Sequence, residues 1–257
     1  MIRHRLDLAL TGGVEARLVF TGRGAVASGV TSPPPYEWAN LASHVGDEPA
    51  AVTANRSALA SAMGLEPSQL SFMHPDHGRG VAVVTQPGGV APSAEIQHVD
   101  AMVTDRPGIG LVALSADCVP ALLVDPDARI IAAVHAGWRG MALDVVGAAV
   151  ERMVAMGGTA ERIQAYLGPA ICGRCYPVPP ERAEQVRAVR PEAVTRAPDG
   201  QPAIDVRIGL AARLRELGAR IDLVGGCTAE DAGLYSHRRD GRTGRQAGAI
   251  TIVPGQT

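Results

Sequence analysis

A cysteine and a histidine stand where two apolar segments of the chain end, and both side chains are chemically versatile. Cys118 comes shortly after the apolar run 110–114, and His135 directly follows the run 130–134. Because short apolar runs favour buried strands, each polar side chain should stand at a strand end, beside the core. A thiolate and an imidazole so placed can bind a metal ion or perform nucleophilic catalysis. These two residues alone leave both chemistries open.

Two further histidines lie upstream, in the segment His74-Pro75-Asp76-His77-Gly78. Apolar residues 70–73 and 80–85 flank this segment, which we interpret as a turn between two short strands. His77 should therefore be exposed at the end of a strand.

Capping residues and hydrophobic spacing predict three helices beside these strands. The first begins with Pro49 and is stopped by Gly64, the second runs from about Met141 to Met156, and the third follows the N-cap Asp205 and ends at Gly218. Further strands are predicted near residues 1–22, 110–136, 221–224 and 249–253. This pattern indicates an α/β (mixed α+β) fold. Because the sequence has no internal repeat and no obvious linker, we predict a single compact domain over residues 1–257.

The composition indicates a globular chain without a general attraction to nucleic acid or membranes. Its 257 residues are 46% hydrophobic, and the formal net charge is −2 although all 24 basic residues are arginine. No apolar stretch reaches the ~18 residues that a membrane span needs, and residues 1–7 lack the apolar core of a signal peptide. We therefore expect a cytoplasmic protein whose four cysteines stay reduced, with neither nucleic acid nor a membrane as a partner.

Short blocks of residues spread over nearly the whole chain are similar to those of one known family. The blocks are Gly22-Arg23-Gly24, Asn40-Leu41, His44-Val45-Gly46-Asp47, Asn55-Arg56, His77-Gly78, Asp100-Ala101-Met102-Val103-Thr104, Ala116-Asp117-Cys118-Val119-Pro120, His135-Ala136-Gly137-Trp138-Arg139-Gly140, Leu167-Gly168-Pro169-Ala170-Ile171 and Tyr235-Ser236-His237-Arg238-Arg239-Asp240-Gly241. Together they resemble the YfiH family, also called the laccase-domain or polyphenol oxidase family, whose members are viewed as purine nucleoside phosphorylases. The blocks around Cys118 and His135, in this order, are the most specific.

This resemblance implies a fold, a metal and a reaction. The implied fold is a central β-sandwich of mixed sheets flanked by helices. The implied metal is Zn²⁺, with Cu²⁺ also a candidate, held by His77, Cys118 and His135. The implied reaction is phosphorolysis of adenosine, inosine or S-methyl-5'-thioadenosine to the base and the sugar 1-phosphate, with adenosine deamination as a side activity. The expected partners are a purine nucleoside and phosphate, and a homodimer is one oligomeric state open to the chain.

The match has departures near the first histidine and in two later blocks. Family members usually have Gln-Val before the histidine, whereas this chain has Pro75-Asp76 there and an additional His74. Proline fixes the backbone, so the approach of His77 to a metal can differ, and His74 becomes a candidate ligand. The family's Cys-Tyr-Glu appears as Cys175-Tyr176-Pro177, and His237 replaces the usual aromatic residue.

A His₂Cys ligand set leaves zinc an open fourth position, which is typical of catalytic sites. There the metal can lower the pKa of a water molecule or orient an anion. Arginine suits phosphate because its planar fork pairs with two oxygens, and Arg139 lies at the start of a predicted helix whose amides also favour anions. A second cationic group contains Arg238, Arg239, Arg242 and Arg245. For deamination, Asp117 or Asp76 is the candidate for proton transfer. The candidate catalytic residues are therefore His77, Cys118, His135, Asp117 and Arg139.

Three other functions remain to be weighed. A multinuclear copper oxidase needs many clustered histidines, but the chain has seven and no His-x-His, although a single His₂Cys site can still take copper. A cysteine hydrolase or amidase would use Cys118 as nucleophile and His135 as base, and metal on the thiolate would oppose that mechanism. A metal-dependent interaction module is disfavoured because an open coordination position has no structural purpose.

The segment Cys172-Gly173-Arg174-Cys175 has the spacing of a zinc knuckle. A structural zinc site needs two further ligands, and no second Cys-x-x-Cys occurs in the chain. We therefore predict that these two cysteines serve in packing.

Overall fold

The computed structural model describes residues 1–24 and 32–254, and these residues form both strands and helices. The strands are β1 (Ile2–Leu10), β2 (Val14–Thr21), β3 (Leu70–His74), β4 (Val81–Val83), β5 (Ile96–Gln97), β6 (Ala101–Thr104), β7 (Gly110–Ser115), β8 (Val119–Asp125), β9 (Ile130–Ala136), β10 (Gln164–Leu167), β11 (Val194–Arg196), β12 (Pro202–Ile204), β13 (Arg220–Leu223) and β14 (Gln246–Pro254). The α-helices are α1 (Pro49–Met63), α2 (Trp138–Ala142), α3 (Val145–Ala155), α4 (Pro180–Arg187), α5 (Val206–Glu216) and α6 (His237–Asp240).

Two six-stranded sheets, each with parallel and antiparallel pairs, form the centre of the protein. Sheet 1 has the order β1-β2-β14-β7-β3-β5, in which β3 runs parallel to both of its neighbours. Sheet 2 has the order β13-β10-β8-β9-β6-β4, in which the outermost pair at each end is parallel. The inner strands β7, β8 and β9 are buried along their whole length, which explains why they are almost continuously apolar.

Apolar side chains hold the layers together. Between the sheets, Phe20 and Ile250 of sheet 1 belong to the same buried cluster as Leu122 and Ile131 of sheet 2. On the outer face of sheet 2, helices α2, α3, α4 and α5 contribute to a second buried cluster. On the outer face of sheet 1, α1 contributes to a third. The predicted β-sandwich of mixed sheets flanked by helices is confirmed.

Two of the predicted helices have the expected ends. Helix α1 starts at Pro49 and is followed by Gly64, whose φ of 74° is a left-handed conformation that glycine adopts without strain. Helix α5 is capped by the Asp205 side chain, which accepts a hydrogen bond from the backbone N–H of Ile208 at 3.1 Å. No helix in the described residues is both long and apolar enough to cross a membrane.

The single helix predicted from Met141 to Met156 is wrong, because the chain forms two helices there. Helix α2 ends at Ala142 and α3 begins at Val145, and Asp144 between them has a φ of 64°. The carboxylate of Asp144 pairs with the Arg213 guanidinium of α5 at 2.8 Å. This ion pair with a distant part of the chain accompanies a left-handed residue that interrupts the helix.

The chain passes from sheet 1 to sheet 2 three times, and two of these crossings lie beside the end of β9. One of the two is the segment between β3 and β4, which contains His77. The other is the short segment between β7 and β8, which contains Cys118. Strand β9 pairs with β8 so that His135 lies opposite Pro120. Three sequence-distant side chains are thereby brought to one end of the sandwich.

Candidate active site

His77, Cys118 and His135 form one compact group, which we call the His₂Cys cluster. Their ligand atoms all lie within 4.8 Å of one another. The His77 and His135 rings meet edge to face, with centroids 4.8 Å apart. His135 is only 4% exposed, Cys118 is half-buried and His77 is exposed, so the cluster spans from the core to the surface. The structure thus brings together the three residues implied as metal ligands.

The sequence analysis missed Asp100, the carboxylate that holds His135. Asp100 is 1% exposed, and its Oδ1 lies 3.1 Å from Nδ1 of His135. Its Oδ2 accepts hydrogen bonds from the backbone N–H groups of Gly78 at 2.8 Å and Asp76 at 3.3 Å. These bonds also tie the His77 turn to β6. The available signal was a lone carboxylate directly before the buried strand Ala101–Thr104.

This arrangement fixes which nitrogen of His135 faces the thiol. Burial alone would raise the pKa of Asp100, but hydrogen bonds from His135 and the backbone outweigh it and lower that pKa. An ionised carboxylate can only accept hydrogen bonds, so Nδ1 of His135 carries the proton. Nε2 is therefore the nitrogen directed toward Cys118, as in metal-binding histidines backed by a carboxylate.

The Cys118 thiol and the His135 imidazole shift each other's pKa. Burial alone would raise the pKa of Cys118, but the charge and hydrogen bonds of His135 and His77 lower it to about 6. Burial alone would lower the pKa of His135, but the Cys118 thiolate and Asp100 raise it to about 9. The two groups form a thiolate–imidazolium pair at neutral pH. The thiolate is the form that binds a metal or attacks an electrophile.

A cavity of about 530 Å³ opens over the His₂Cys cluster. Its volume is in the range of small-molecule sites, and its wall is mixed apolar and cationic. The lining includes Trp138, Tyr176, Leu114, Ile171, Val206, His44, His237, Arg238 and Arg245. The Arg238 guanidinium lies 5.0 Å from the centre of the Tyr176 ring, which fixes a cation beside an aromatic face.

Asp117 lines this cavity, but its carboxylate is already engaged. Oδ1 accepts hydrogen bonds from Thr228 Oγ1 at 2.6 Å and Ser236 Oγ at 2.7 Å, and Oδ2 accepts one from the backbone N–H of Arg238 at 2.6 Å. Asp117 itself has a φ of 94°. The carboxylate therefore ties the Cys118 segment to Thr228 and to the start of helix α6. These hydrogen bonds give Asp117 a structural role in the cavity wall.

The predicted arginines separate into two groups. Arg139 is exposed on the five-residue helix α2 and is not among the residues that line the cavity, so the structure does not bring it to the site. Arg239 donates to the backbone carbonyls of Thr228 and Leu234, and Arg242 bonds to the Tyr36 hydroxyl. Arg238 and Arg245 are the members of the predicted cationic group that face the cavity.

The departures before His77 do not add a ligand to the cluster. His74 lines the cavity, but its Nδ1 lies 3.1 Å from Glu95 Oε2, and it is outside the three-residue cluster. Asp76 is exposed and pairs with His98 at 2.6 Å. His77 itself has a φ of 57°, a left-handed conformation at the tip of the turn.

The donor set fits a zinc ion. Tetrahedral zinc with bonds of ~2.0–2.3 Å to nitrogen and sulfur places its ligand atoms ~3.5 Å apart, a modest contraction from the observed limit of 4.8 Å. Gly137 leaves room for this closure, because a Cβ there would lie 3.0 Å from both the Cys118 sulfur and a His77 ring carbon. With these three protein ligands, a zinc ion would keep a fourth coordination position for a ligand in the cavity.

The chain is similar to known proteins over most of its length. The family model described as multi-copper polyphenol oxidoreductase laccase matches residues 17–253. A purine nucleoside phosphorylase of Streptomyces griseus is 45% identical over 98% of this chain and 99% of its own length. One of Mycobacterium tuberculosis is 43% identical over 93% of this chain and 94% of its own. The solved structure of the hypothetical protein YfiH of Bacillus licheniformis has a TM-score of 0.85 at 26% identity, covering 93% of this chain and 96% of that one.

Proposed function

The chain belongs to the laccase-domain, or YfiH, family, and from this premise we propose that it is a purine nucleoside phosphorylase with zinc in the His₂Cys cluster. The reaction transfers the sugar of adenosine, inosine or S-methyl-5'-thioadenosine from the purine to phosphate. A phosphate oxygen forms a bond to the anomeric carbon, the bond from that carbon to the purine nitrogen breaks, and the purine leaves with a proton. The observation that carries the proposal is a metal-ligand cluster in the wall of a cavity that also presents two arginines.

The charged groups of the cavity suit phosphate. Arg238 and Arg245 line the same wall, and a guanidinium pairs with two phosphate oxygens at once. Stacking on Tyr176 orients Arg238, and the Arg245 side chain donates to the Thr243 and Gly244 carbonyls at 2.9 and 3.0 Å. When bound, zinc supplies a further positive charge that orients an anionic oxygen or lowers the pKa of water.

The aromatic and imidazole groups suit the purine. Trp138 and Tyr176 offer faces on which a base can stack, and both line the cavity. His44 and His237 lie in the same lining, where imidazole nitrogens can hydrogen-bond to the base. Asp117 supports the wall through its three hydrogen bonds. Because that carboxylate is occupied, adenosine deamination is proposed only as a side activity.

One observation favours a second function, a cysteine hydrolase. Asp100, His135 and Cys118 lie in the order of a carboxylate–imidazole–thiol relay, with the thiol pKa lowered to about 6. His77 argues against this function, because a hydrolase needs no second imidazole on the nucleophile. A copper oxidase has less support. Among the described residues, two groups of side chains are suited to a metal: the His₂Cys cluster, and Cys172 with Cys175 and Cys227. Neither is a multinuclear histidine site.

The test combines metal analysis with adenosine turnover in the presence and absence of phosphate. We expect zinc in the purified protein and phosphate-dependent release of adenine, and in Cys118→Ala we expect loss of that activity and of the zinc bound by the His₂Cys cluster. His77→Asn has a matched control in His98→Asn, since both histidines are exposed and have φ near 60°, at 57° and 59°. Asparagine tolerates that conformation, so neither variant adds backbone strain. Only the His77 variant should lose activity.

Two outcomes would refute the proposal. Release of adenine that does not depend on phosphate would exclude phosphorolysis. Full activity after removal of metal by a chelator, together with inactivation by thiol alkylation, would favour the cysteine hydrolase.

A further inference from the structure

A second group of thiols lies outside the cavity and shares no residue with the His₂Cys cluster. Cys172, Cys175 and Cys227 place their sulfur atoms within 4.8 Å of one another, and none of them lines the cavity. We call this group the three-cysteine cluster. The sequence offered only two of its members as a pair. The fold supplies the third from a segment 55 residues further along than Cys172.

Backbone hydrogen bonds hold the three cysteines together. The backbone N–H of Cys172 donates to Cys227 Sγ at 3.3 Å, and the N–H of Cys175 donates to the Cys172 backbone carbonyl at 3.0 Å. Glu230 completes the arrangement, because its Oε1 lies 3.6 Å from Cys175 Sγ. Three sulfurs therefore lie together, and a carboxylate oxygen lies beside one of them.

Burial raises the pKa of both Cys172 and Cys175. Thiolates so close together repel one another, whereas a cation bound between them removes the repulsion. Soft thiolate donors select zinc or Cu(I), and a carboxylate as fourth donor favours zinc, which accepts oxygen in a tetrahedral site.

We propose that Cys172, Cys175, Cys227 and Glu230 bind a structural zinc ion. On binding, three S–H bonds break, three Zn–S bonds form, and three protons leave for solvent, while the carboxylate donates a lone pair. Nothing is oxidised or reduced. A tetrahedral zinc with Zn–S bonds of ~2.3 Å sets the sulfurs ~3.8 Å apart, so the observed limit of 4.8 Å needs only a small contraction.

Such an ion would join two segments that both serve the cavity. The first continues from Cys175 into Tyr176, which lines the cavity. The second continues from Cys227 into Thr228, whose hydroxyl donates to Asp117 at 2.6 Å. The backbone already links them, since the N–H of Thr228 donates to the Ala170 carbonyl at 3.1 Å. Zinc would add a strong crosslink behind the cavity wall. This role goes beyond the proposed phosphorylase activity and does not require it.

The test uses Cys118→Ser protein, in which the His₂Cys cluster has lost its thiolate. This protein is kept reduced, loaded with zinc, freed of excess metal and analysed for zinc per chain. We expect one tightly held zinc, and its loss when Cys175→Ser is added. Arg174→Gln is the matched control, because Arg174 lies exposed in the same turn and carries no ligand atom. That variant should retain the zinc.

Cobalt loading tests the ligands directly. Cobalt in the Cys118→Ser protein should give intense thiolate-to-cobalt charge-transfer absorption in the near ultraviolet, and Cys175→Ser should abolish it. Glu230→Gln should keep the thiolate bands and shift the visible bands that report geometry. Circular dichroism of each metal-free variant verifies folding, and Cys175 is chosen because it is less buried than Cys227.

The outcomes separate this proposal from the proposed function. Zinc in Cys175→Ser but not in Cys118→Ser would place the metal at the His₂Cys cluster alone and overturn the inference. Zinc in Cys118→Ser but not in Cys175→Ser would support the inference and count against the phosphorylase proposal. Equally rapid alkylation of the three thiols in zinc-loaded and metal-free Cys118→Ser protein would also overturn the inference.

Discussion

Replacing Asp100 by asparagine tests whether the carboxylate behind His135 controls the metal site. The carboxylate has two oxygens and uses both, Oδ1 for His135 and Oδ2 for the backbone N–H groups of Gly78 and Asp76. Asparagine keeps the shape but has only one acceptor oxygen. If that oxygen serves the backbone, the amide NH₂ faces Nδ1 of His135. The imidazole must then carry its proton on Nε2, the nitrogen that a metal needs.

The expected magnitude follows from this change of partner. Loss of a carboxylate behind a metal-binding histidine costs about 10–100-fold in metal affinity, which is about 1.4–2.7 kcal/mol. The metal-free protein should also lose stability, by about 1.5–3 kcal/mol for a buried hydrogen bond to a charged group. Both effects should appear together in Asp100→Asn, because one carboxylate supports both the histidine and the His77 turn.

The two effects are measured separately. Competition with a chromophoric chelator at neutral pH gives the zinc affinity, and thermal unfolding of metal-free protein gives the stability. Asp105→Asn is the matched control, since Asp100 and Asp105 flank the same strand, Ala101–Thr104, and Asp105 is exposed. The control should change neither quantity by more than a small amount.

One result would refute this reasoning. If Asp100→Asn lowers the stability of the metal-free protein but leaves zinc affinity and kcat/KM for phosphorolysis unchanged, the carboxylate supports the fold and does not orient the ligand.

Three further predictions follow from the structure. Glu95 has a lowered pKa because the hydrogen bond and charge of Arg56, 2.6 Å away, outweigh the effect of burial, so this pair stabilises the fold above pH 4.5, the ordinary pKa, and the stabilisation is lost as the pH falls below it. Glu95→Gln should cost about 3–5 kcal/mol at neutral pH and reduce the loss of stability at acid pH in denaturant titrations, and an unchanged acid dependence would contradict the assignment. Gly137→Ala should lower the free energy of unfolding by about 1–3 kcal/mol and weaken zinc binding, because the new methyl group would crowd two members of the His₂Cys cluster at 3.0 Å. An unchanged unfolding free energy in calorimetry, together with an unchanged zinc affinity, would show that the cluster can shift freely. Arg238→Gln should raise the KM for phosphate roughly ten-fold in initial-rate measurements, whereas Arg139→Gln, at an exposed residue outside the cavity lining, should not. Equal effects of the two variants would argue against the cavity as the phosphate site.

Much of the fold could be predicted because its signals are local. The strands around Cys118 and His135 are continuous apolar runs, and helix α5 has an aspartate cap that is visible in the sequence. The break at Asp144 was missed because its ion-pair partner is 69 residues away. Asp100 was missed for the same reason, since its 35-residue separation from His135 closes only when β6 pairs with β9.

The sequence was least informative about which arginines reach the cavity. Arg139 has the right neighbours in the sequence but lies exposed outside the cavity lining, whereas Arg238 and Arg245 reach the cavity from the far end of the chain. A long side chain at a helix start can point toward a site or away from it. Which direction it takes depends on packing that no short window of sequence contains.

The crossings from β3 to β4 and from β7 to β8 have a consequence for the order of folding. Each crossing carries one ligand, His77 or Cys118, and the third ligand, His135, lies on a strand of sheet 2. No single sheet can assemble the three donors, so the donor set exists only after the two sheets have closed on each other. We expect metal capture to be a late event that does little for the rate of folding. Once captured, the ion would oppose the parting of the two sheets and would act mainly by slowing unfolding.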